Sequence, residues 1–427
     1  MKEDEITIAS IEKRKEVGID VGHKPQRGCC IYRVPKGLRK INEEAYTPKV
    51  ISIGPLHHDK NELADMEKHK IRYKKKFSKR ITDETWQELI HFVDLYEQSI
   101  RNCYEDRSCT FKLEKIDFIT MILYDAVFII ELFLRNNGKM DFLSVAPHLT
   151  DIRSDLQLIE NQLPFFVLNE LYSLALLKPE TRAKGYPSFF YLSCKFFFPR
   201  KQLSETDERI EEVKHFTDLR RHFMTTKMCQ LQEHTGLTGL LTDVPCAVKL
   251  KESGVKFKCN EEGWSLDVSS KKIKKLCLEV LELQIPKIEV NGQTELLFRN
   301  VMALEQCHYP RDTQVCNFFG LMDFLVNTEA DVDLLAEAGI MSNNLGDSTT
   351  VARMFNRLCL HINFSYSCYW ADAEDLKTHY RKSWNHTIET LKSVYFSNLW
   401  RGTGTIAAFL LVLLTLIQTV CSILQVL

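Results

Sequence analysis

The 427-residue sequence contains no Walker loop, no G-x-S-x-G elbow, no H-E-x-x-H zinc helix and no dinucleotide fingerprint. Those absences remove the readable routes to nucleotide, hydrolase and metalloprotease chemistry, so neither a cofactor nor a metal is expected. None of the 14 cysteines is spaced C-x-x-C, and the nearest repeats, Cys307/Cys316 and Cys359/Cys368, match no zinc pattern. An excess of one charge is also missing. With 56 basic and 57 acidic residues the net charge is −1, which argues against a dedicated nucleic-acid partner. Met1 to Asp20 has no apolar run, so no secretory signal is expected and the thiols should be reduced in a cytosol-facing protein. Charge is lacking altogether in one long stretch, Gly402 to Leu427. About 20 apolar residues at ~1.5 Å each cross a bilayer core, and this stretch predicts a C-terminal transmembrane helix.

What is present is ordinary globular material, 44% hydrophobic and 26% charged. Residues 1–28 read as a mobile arm and 29–400 as one mainly helical soluble body, with a candidate lobe boundary near 178–209. There Pro179, Gly185, Pro187 and Pro199 surround the aromatic run Phe189 to Phe198. Helical periodicity covers Asp59–Arg80, Asp83–Arg101, Glu114–Arg135, Gln293–Gln306, Cys316–Asn327, Val351–Phe364 and Asp372–Phe396. Asp151–Leu177 reads as one helix bent at Pro164. A shorter helix is expected at Val244–Glu252. Val255–Cys259, Trp264–Val268 and Leu278–Ile285 suggest a small antiparallel β element. The expected fold class is therefore mainly α (α+β), with one terminal membrane helix.

Several ordered segments resemble the plant family catalogued as domain of unknown function 247. They begin with Tyr46-x-Pro48 leading into Ser52-Ile-Gly-Pro-Leu-His-His58 and Met66-Glu-x-x-Lys70. Asp125-x-x-Phe-x-x-Glu131-Leu and Leu158-Ile-Glu-Asn-Gln-Leu-Pro-Phe-Phe166 follow, the latter being the most recognisable. Gly254-Val-Lys-Phe257, Ile285-Pro286, Arg299-Asn300, Glu305-Gln-Cys307, Gly339-Ile340, Phe355-Asn356 and Thr415-x-x-Gln418-Thr419 continue the order. The single Leu56, Lys49 and Asp59 depart from it. The resemblance implies a plant protein with one C-terminal membrane helix and supplies no catalytic residues. Some grass relatives are tied to self-incompatibility, which implies recognition.

Candidate sites follow from residue type. Ser52 beside His57 and His58 offers a nucleophile and a base, the ground for an alternative reading as a membrane-bound hydrolase. Adjacent histidines on extended backbone point to opposite faces, however, and a triad also needs an orienting acid and an oxyanion hole. Asp125, Glu131 and Glu160 lie in apolar segments, where a carboxylate requires a partner such as Arg135, a helix N-terminus or a histidine. Eight Lys or Arg residues crowd Lys68–Arg80, and Lys70, Lys74, Lys75 and Lys76 are the candidates for binding lipid or another anion. In the terminal helix Gly404, Ala408, Leu411, Thr415, Gln418, Ser422 and Gln425 step by four and three. Such a small and polar seam suits self-association or a partner helix. Arg381, Lys382, Lys392 and Arg401 precede the span against Glu389 alone, which places the body in the cytosol of a plasma or internal membrane. Glycans on the sequons Asn363-Phe-Ser365 or Asn385-His-Thr387 would contradict that topology. The sequence-level reading is a tail-anchored, non-enzymatic recognition protein with a protein partner.

Overall fold

The computed structural model describes residues 28–138, 146–177, 185–199, 213–225, 239–260, 265–275, 278–364, 366–382 and 399–426. The described chain is mainly helical and divides into two compact units. The first is Met1–Thr225 with Gly292–Cys316 and Leu360–Asn363. The second is Thr226–Asn291, Asn317–Cys359 and Phe364–Leu427.

The first unit carries helices α1 (Lys36–Ile41), α2 (Ala64–Phe77), α3 (Asp83–Arg101), α4 (Arg107–Lys112) and α5 (Lys115–Gly138). It continues through α6 (Leu149–Asp155), α7 (Phe165–Leu176), α8 (Phe189–Phe197) and α9 (Phe216–Met224). Helix α5 is its axis. Its side chains are buried on every face from Phe128 to Arg135, the pattern of a core helix rather than an amphipathic one. Around it α2 contributes Met66, Tyr73 and Phe77, and α3 contributes Leu89, Ile90 and Val93. Thr82 caps α3, its hydroxyl accepting from the Thr85 N–H, with Asp83 and Glu84 in the first turn.

The aromatic run at the candidate lobe boundary forms α8. Ser188 caps it, and its phenylalanines stack on α5, with Phe133 centroids 4.6 Å from Phe196 and 5.7 Å from Phe189. The single bent helix expected over Asp151–Leu177 is two helices, α6 and α7, separated by the non-helical stretch Leu156–Pro164. Pro164 cannot donate to a helix, and the polar side chains before it compete for the backbone.

The second unit holds α10 (Ala247–Glu252), β1 (Lys256–Asn260), β2 (Ser269–Lys275), β3 (Leu278–Pro286) and β4 (Ile288–Val290). Next in the chain is α11 (Thr294–His308), which belongs to the first unit, followed by α12 (Gln314–Leu325), α13 (Glu329–Glu337), β5 (Met341–Asn343), α14 (Ser348–Leu358), α15 (Trp370–Arg381) and α16 (Leu399–Val426).

The β element is mixed rather than purely antiparallel. β3 lies centrally, parallel to β1 with Lys256 opposite Glu282, and antiparallel to β2 with Ser269 opposite Gln284. β4 and β5 form a second, parallel pair. The strand expected at Trp264–Val268 is displaced to β2, whose Ser-Lys-rich sequence lacks apolar alternation. It is an edge strand with Lys271 and Lys272 exposed, a composition that discourages pairing with another chain.

Among the described residues no helix is long and apolar enough to cross a membrane. The backbone of α16 is one 28-residue helix. Only part of its apolar run, Ala407, Ala408 and Leu410 to Cys421, has described side chains. The span expected from the sequence is thus not supported there.

The expectation of wholly reduced thiols is corrected at one position. Eleven described cysteines are free, but Cys368 is disulfide-bonded.

Candidate functional site

The non-helical stretch Leu156–Pro164, with Asp155 at the end of α6, organises the first unit. Each of its polar side chains reaches a segment distant in sequence. The Asp155 carboxylate accepts from three successive N–H groups, those of Lys49, Val50 and Ile51, at 2.7–3.1 Å. Asn161 accepts from the Ile53 N–H at 2.7 Å and donates to the Ile51 and Asp155 carbonyls. Gln162 donates to the Leu156 and Leu158 carbonyls and accepts from the Phe216 N–H. Its own carbonyl accepts from the Tyr104 hydroxyl at 2.9 Å. From α11, Asn300 accepts from the Ile159 N–H and donates to the Ala45 carbonyl. Gly54 (φ +73°) is required here, because a Cβ would sit 2.7 Å from the Gln162 carbonyl and 2.9 Å from the Tyr104 hydroxyl.

Glu160 is the most heavily engaged carboxylate. It accepts from the Val34 N–H at 2.6 Å, Arg39 at 2.5 Å and Arg33 at 3.2 Å, and its Oε2 lies 3.3 Å from His57 Nε2. Burial opposes its ionisation, but His57, the Val34 N–H and Arg39 outweigh that and hold the carboxyl at about 2. Burial, partly offset by Glu160, lowers the His57 pKa and favours the neutral imidazole. For Asp155, burial prevails over the three backbone N–H groups and pushes the carboxyl up to about 6.

The buried carboxylates of α5 are also partnered. Asp125 pairs with Lys70 at 2.5 Å and accepts from the Gly54 N–H at 2.8 Å. Glu131 pairs with Arg80 at 2.7 Å and Arg135 at 2.9 Å.

The proposed anion-binding lysines separate. Lys70 is buried, its Nζ bound to Asp125, to Glu67 at 2.6 Å and to the Ser52 carbonyl at 2.7 Å, so it is no lipid contact. Burial works against its charge, and Asp125 with Glu67 overcomes this and raises its pKa. Lys74 lies half-buried over the Trp86 and Tyr124 rings at 5.4 and 5.6 Å. Lys75 and Lys76 are exposed, as are Lys68 and Arg72, and Lys68, Arg72 and Lys75 recur at helical spacing along one face of α2, with Lys79 exposed just past its end.

Ser52, His57 and His58 do not assemble into a hydrolytic site. His57 directs its Nε2 at Glu160, 3.3 Å from Oε2. Ser52 is buried with its hydroxyl unpartnered, on the wall of a cavity of about 360 Å³ shared with His58, Asp59, Lys60, Asn61 and Glu67. His57 is not among the lining residues. The neighbouring N–H groups of Ile51, Ile53 and Gly54, the local candidates for an oxyanion hole, are taken by Asp155, Asn161 and Asp125.

In α16, Ala408, Leu411, Thr415 and Gln418 are exposed alongside Leu410, Leu413 and Leu414. The Thr415 hydroxyl turns back to the Leu411 carbonyl at 2.7 Å. Gly404, Ser422 and Gln425 lie outside the residues with described side chains, and Asn385 lies outside the described chain.

The two segments joined by this network, Tyr46–His58 and Leu158–Phe166, are among those that carry the family resemblance, and the family model, described as plant protein of unknown function, matches residues 31–414. The chain belongs to the family domain of unknown function 247. Family relatives include the UPF0481 protein At3g47200 of Arabidopsis thaliana, 28% identical over 430 residues covering 94% of this chain and 87% of the relative. The putative UPF0481 protein At3g02645, from the same plant, is 22% identical over 507 residues, covering 96% and 93%. No solved structure matches the chain.

Sequence reasoning identified the apolar setting of Glu160, Asn161 and Gln162 but missed Asp155, Arg33 and Arg39. Asp155 stands among charged and polar neighbours, and no periodic signal marks it as buried.

Proposed function

We propose that this member of the family is a non-enzymatic recognition protein of plant cells, working through protein contacts while α16 seats in a membrane. The observation that carries this reading is how fully the signature segment is engaged. The N–H groups of Lys49, Val50, Ile51, Ile53 and Gly54 are all held by buried side chains, which makes the segment scaffold rather than catalyst.

The membrane part of the proposal rests on the sequence. Gly402–Leu427 has no charged residue, and a helix carrying exposed leucines in water would be a costly apolar surface. The basic face of α2 (Lys68, Arg72, Lys75 and Lys76), with Lys79 just past its end, would then meet anionic headgroups at ~1 kcal/mol per cation. The α16 seam supports a homo-oligomer or a partner helix. The basic flank before α16 favours a body facing the cytosol, whereas the Cys368 disulfide favours an oxidising compartment. Glycan mapping at Asn363 together with protease protection decides between them.

The test of function is cross-linking of the full chain in plant membranes, read alongside labelling by a fluorophosphonate serine probe. Discrete partner adducts without serine labelling are expected. Labelling lost on Ser52→Ala would overturn the reading in favour of the hydrolase alternative with His57 or His58 as base. Absence of any adduct would overturn the recognition role.

A further inference from the structure

Ser52 is almost fully buried, yet its hydroxyl completes no hydrogen bond. The backbone around it is fixed. Its carbonyl accepts from Lys70 Nζ at 2.7 Å, and the N–H groups of Ile51 and Ile53 on either side are held by Asp155 and Asn161. The hydroxyl is what remains, and Ser52 lines the cavity of about 360 Å³. That volume lies within the ~300–1,000 Å³ of small-ligand pockets. A buried hydroxyl without a partner is costly, and a ligand group that reaches it offsets the cost.

The charges lining the cavity do not balance. Asp59 and Glu67 supply two carboxylates, and Lys60 is the lysine among the lining residues. Glu67 Oε1 already meets Lys70 Nζ at 2.6 Å, but that ammonium is shared with Asp125 at 2.5 Å, so two carboxylates answer one cation. An excess of negative charge therefore stands beside the Ser52 hydroxyl. The Glu67 side chain is 40% exposed and Asp59 is exposed, so both carboxylates can be reached from solvent. Leu63 and Ala64 add apolar carbon to the wall, against which a short alkyl chain can lie.

Lys70 shows which cation such a set of groups accepts. Its Nζ is enclosed by Glu67, Asp125 and the Ser52 carbonyl, three acceptors for the three N–H donors of a primary ammonium. Glu67 and Ser52 each lie within 2.7 Å of that one atom, which makes them close neighbours. The cavity offers the same composition again, two carboxylates and a serine oxygen, in Asp59, Glu67 and the Ser52 hydroxyl.

We propose that the Ser52 cavity binds a primary ammonium, held by Asp59, Glu67 and the Ser52 hydroxyl, whether of a free amine or of a lysine side chain on a partner protein. The site binds without turnover, because the N–H groups of Ile51, Ile53 and Gly54 are committed elsewhere. The proposal goes beyond the recognition role and holds whether or not α16 enters a membrane.

The experiment is calorimetric titration of the full chain in a neutral detergent. Ethanolamine hydrochloride is compared with tetramethylammonium chloride at matched ionic strength, since the latter has the charge without the N–H donors. A second arm compares a blocked tripeptide carrying lysine between two glycines with the same peptide carrying glutamine. Saturable binding of ethanolamine or of the lysine peptide is expected, with no response to the two controls. Asp59→Asn should weaken it about tenfold and Ser52→Ala about threefold, the losses expected for a charge-assisted and a neutral hydrogen bond. Lys60→Gln should tighten it about threefold by removing a like charge, a gain that a structural defect would not produce. Asp59 is exposed and Lys60 half-buried, so these two variants carry the test if Ser52→Ala does not fold. Tighter binding of ethanolamine identifies a free amine, and tighter binding of the lysine peptide identifies a partner's side chain. No binding of either amine, an equal response to tetramethylammonium, or affinity unchanged in both Asp59→Asn and Lys60→Gln would overturn the proposal.

Discussion

Two polar clusters of the first unit, one around Glu160 and one around Gln157, follow opposite logic. Around Glu160 every charge is answered: Arg33, Arg39 and the Val34 N–H converge on one carboxylate. Around Arg153 and Arg220 the half-buried cations lie over the Phe196 and Phe198 rings, and among the described residues no acid meets them. The closed cluster ties the chain to itself and leaves nothing for a ligand. The open one rests on two phenylalanine rings and on Gln157. In this molecule a satisfied network is therefore a sign of architecture.

The sharpest way to break that contrast is Glu160→Leu. It leaves Arg33, Arg39 and the Val34 N–H without their acceptor, and should destabilise the first unit by about 3–5 kcal/mol in urea unfolding. A loss under 1 kcal/mol would mean that the closed cluster is not what holds the segment. Asn161→Ala removes the acceptor of the Ile53 N–H and the donor to the Ile51 carbonyl. A loss of about 1–3 kcal/mol is expected by the same assay.

The pH dependence separates two members of the closed cluster. Asp155, pushed up to about 6, contributes stability that is fully present below its unfolded pKa of about 3.9 and is lost as pH rises through 6. Glu160, held at about 2, contributes stability present above about 4.3 and lost as pH falls toward 2. Unfolding midpoints from pH 3 to 8 should therefore lose their decline between about 4 and 7 in Asp155→Asn, while the acid limb persists. An unchanged profile would show that Asp155 stays ionised throughout.

The open cluster should respond little. Arg153→Gln is expected to stay within about 0.5 kcal/mol of wild type, or to gain stability, since it removes a half-buried charge that meets no acid among the described residues. Smallest of all is Lys75→Ala with Lys76→Ala, two exposed positions on α2 that should leave unfolding unchanged within about 0.5 kcal/mol. If those lysines face a bilayer, the pair should still reduce sedimentation with phosphatidylserine vesicles several-fold. Equal sedimentation would remove the lipid role.

Much of the helical outline was legible because apolar spacing encodes it. The Asp83–Arg101 helix matches at both ends, since Thr82 and the acidic first turn mark its start. Asp151–Leu177 was misread as one helix because Leu156, Ile159 and Leu163 keep an apolar spacing through a stretch that is not helical. Strand β2 escaped notice because lysines on an edge carry no alternation, and strand direction was not encoded locally at all. At the candidate sites, Glu160 and Asn161 stood out as polar residues in an apolar run. The seating of Arg153 and Arg220 over Phe196 and Phe198 could not be read from sequence, because it depends on how α6, α8 and α9 pack.

The discontinuity of the first unit has a consequence for biosynthesis. Asn300, which bonds Ile159 and Ala45, lies in Gly292–Cys316, a segment made well after Thr225. At ~5–20 residues per second the ribosome reaches it roughly 4–15 s after finishing Thr225. During that interval the Ile159 N–H and the Ala45 carbonyl await their partner. The nascent chain is then most exposed to chaperones and proteases, and substitutions at Asn300 should lower yield in cells more than they lower the stability of the finished molecule.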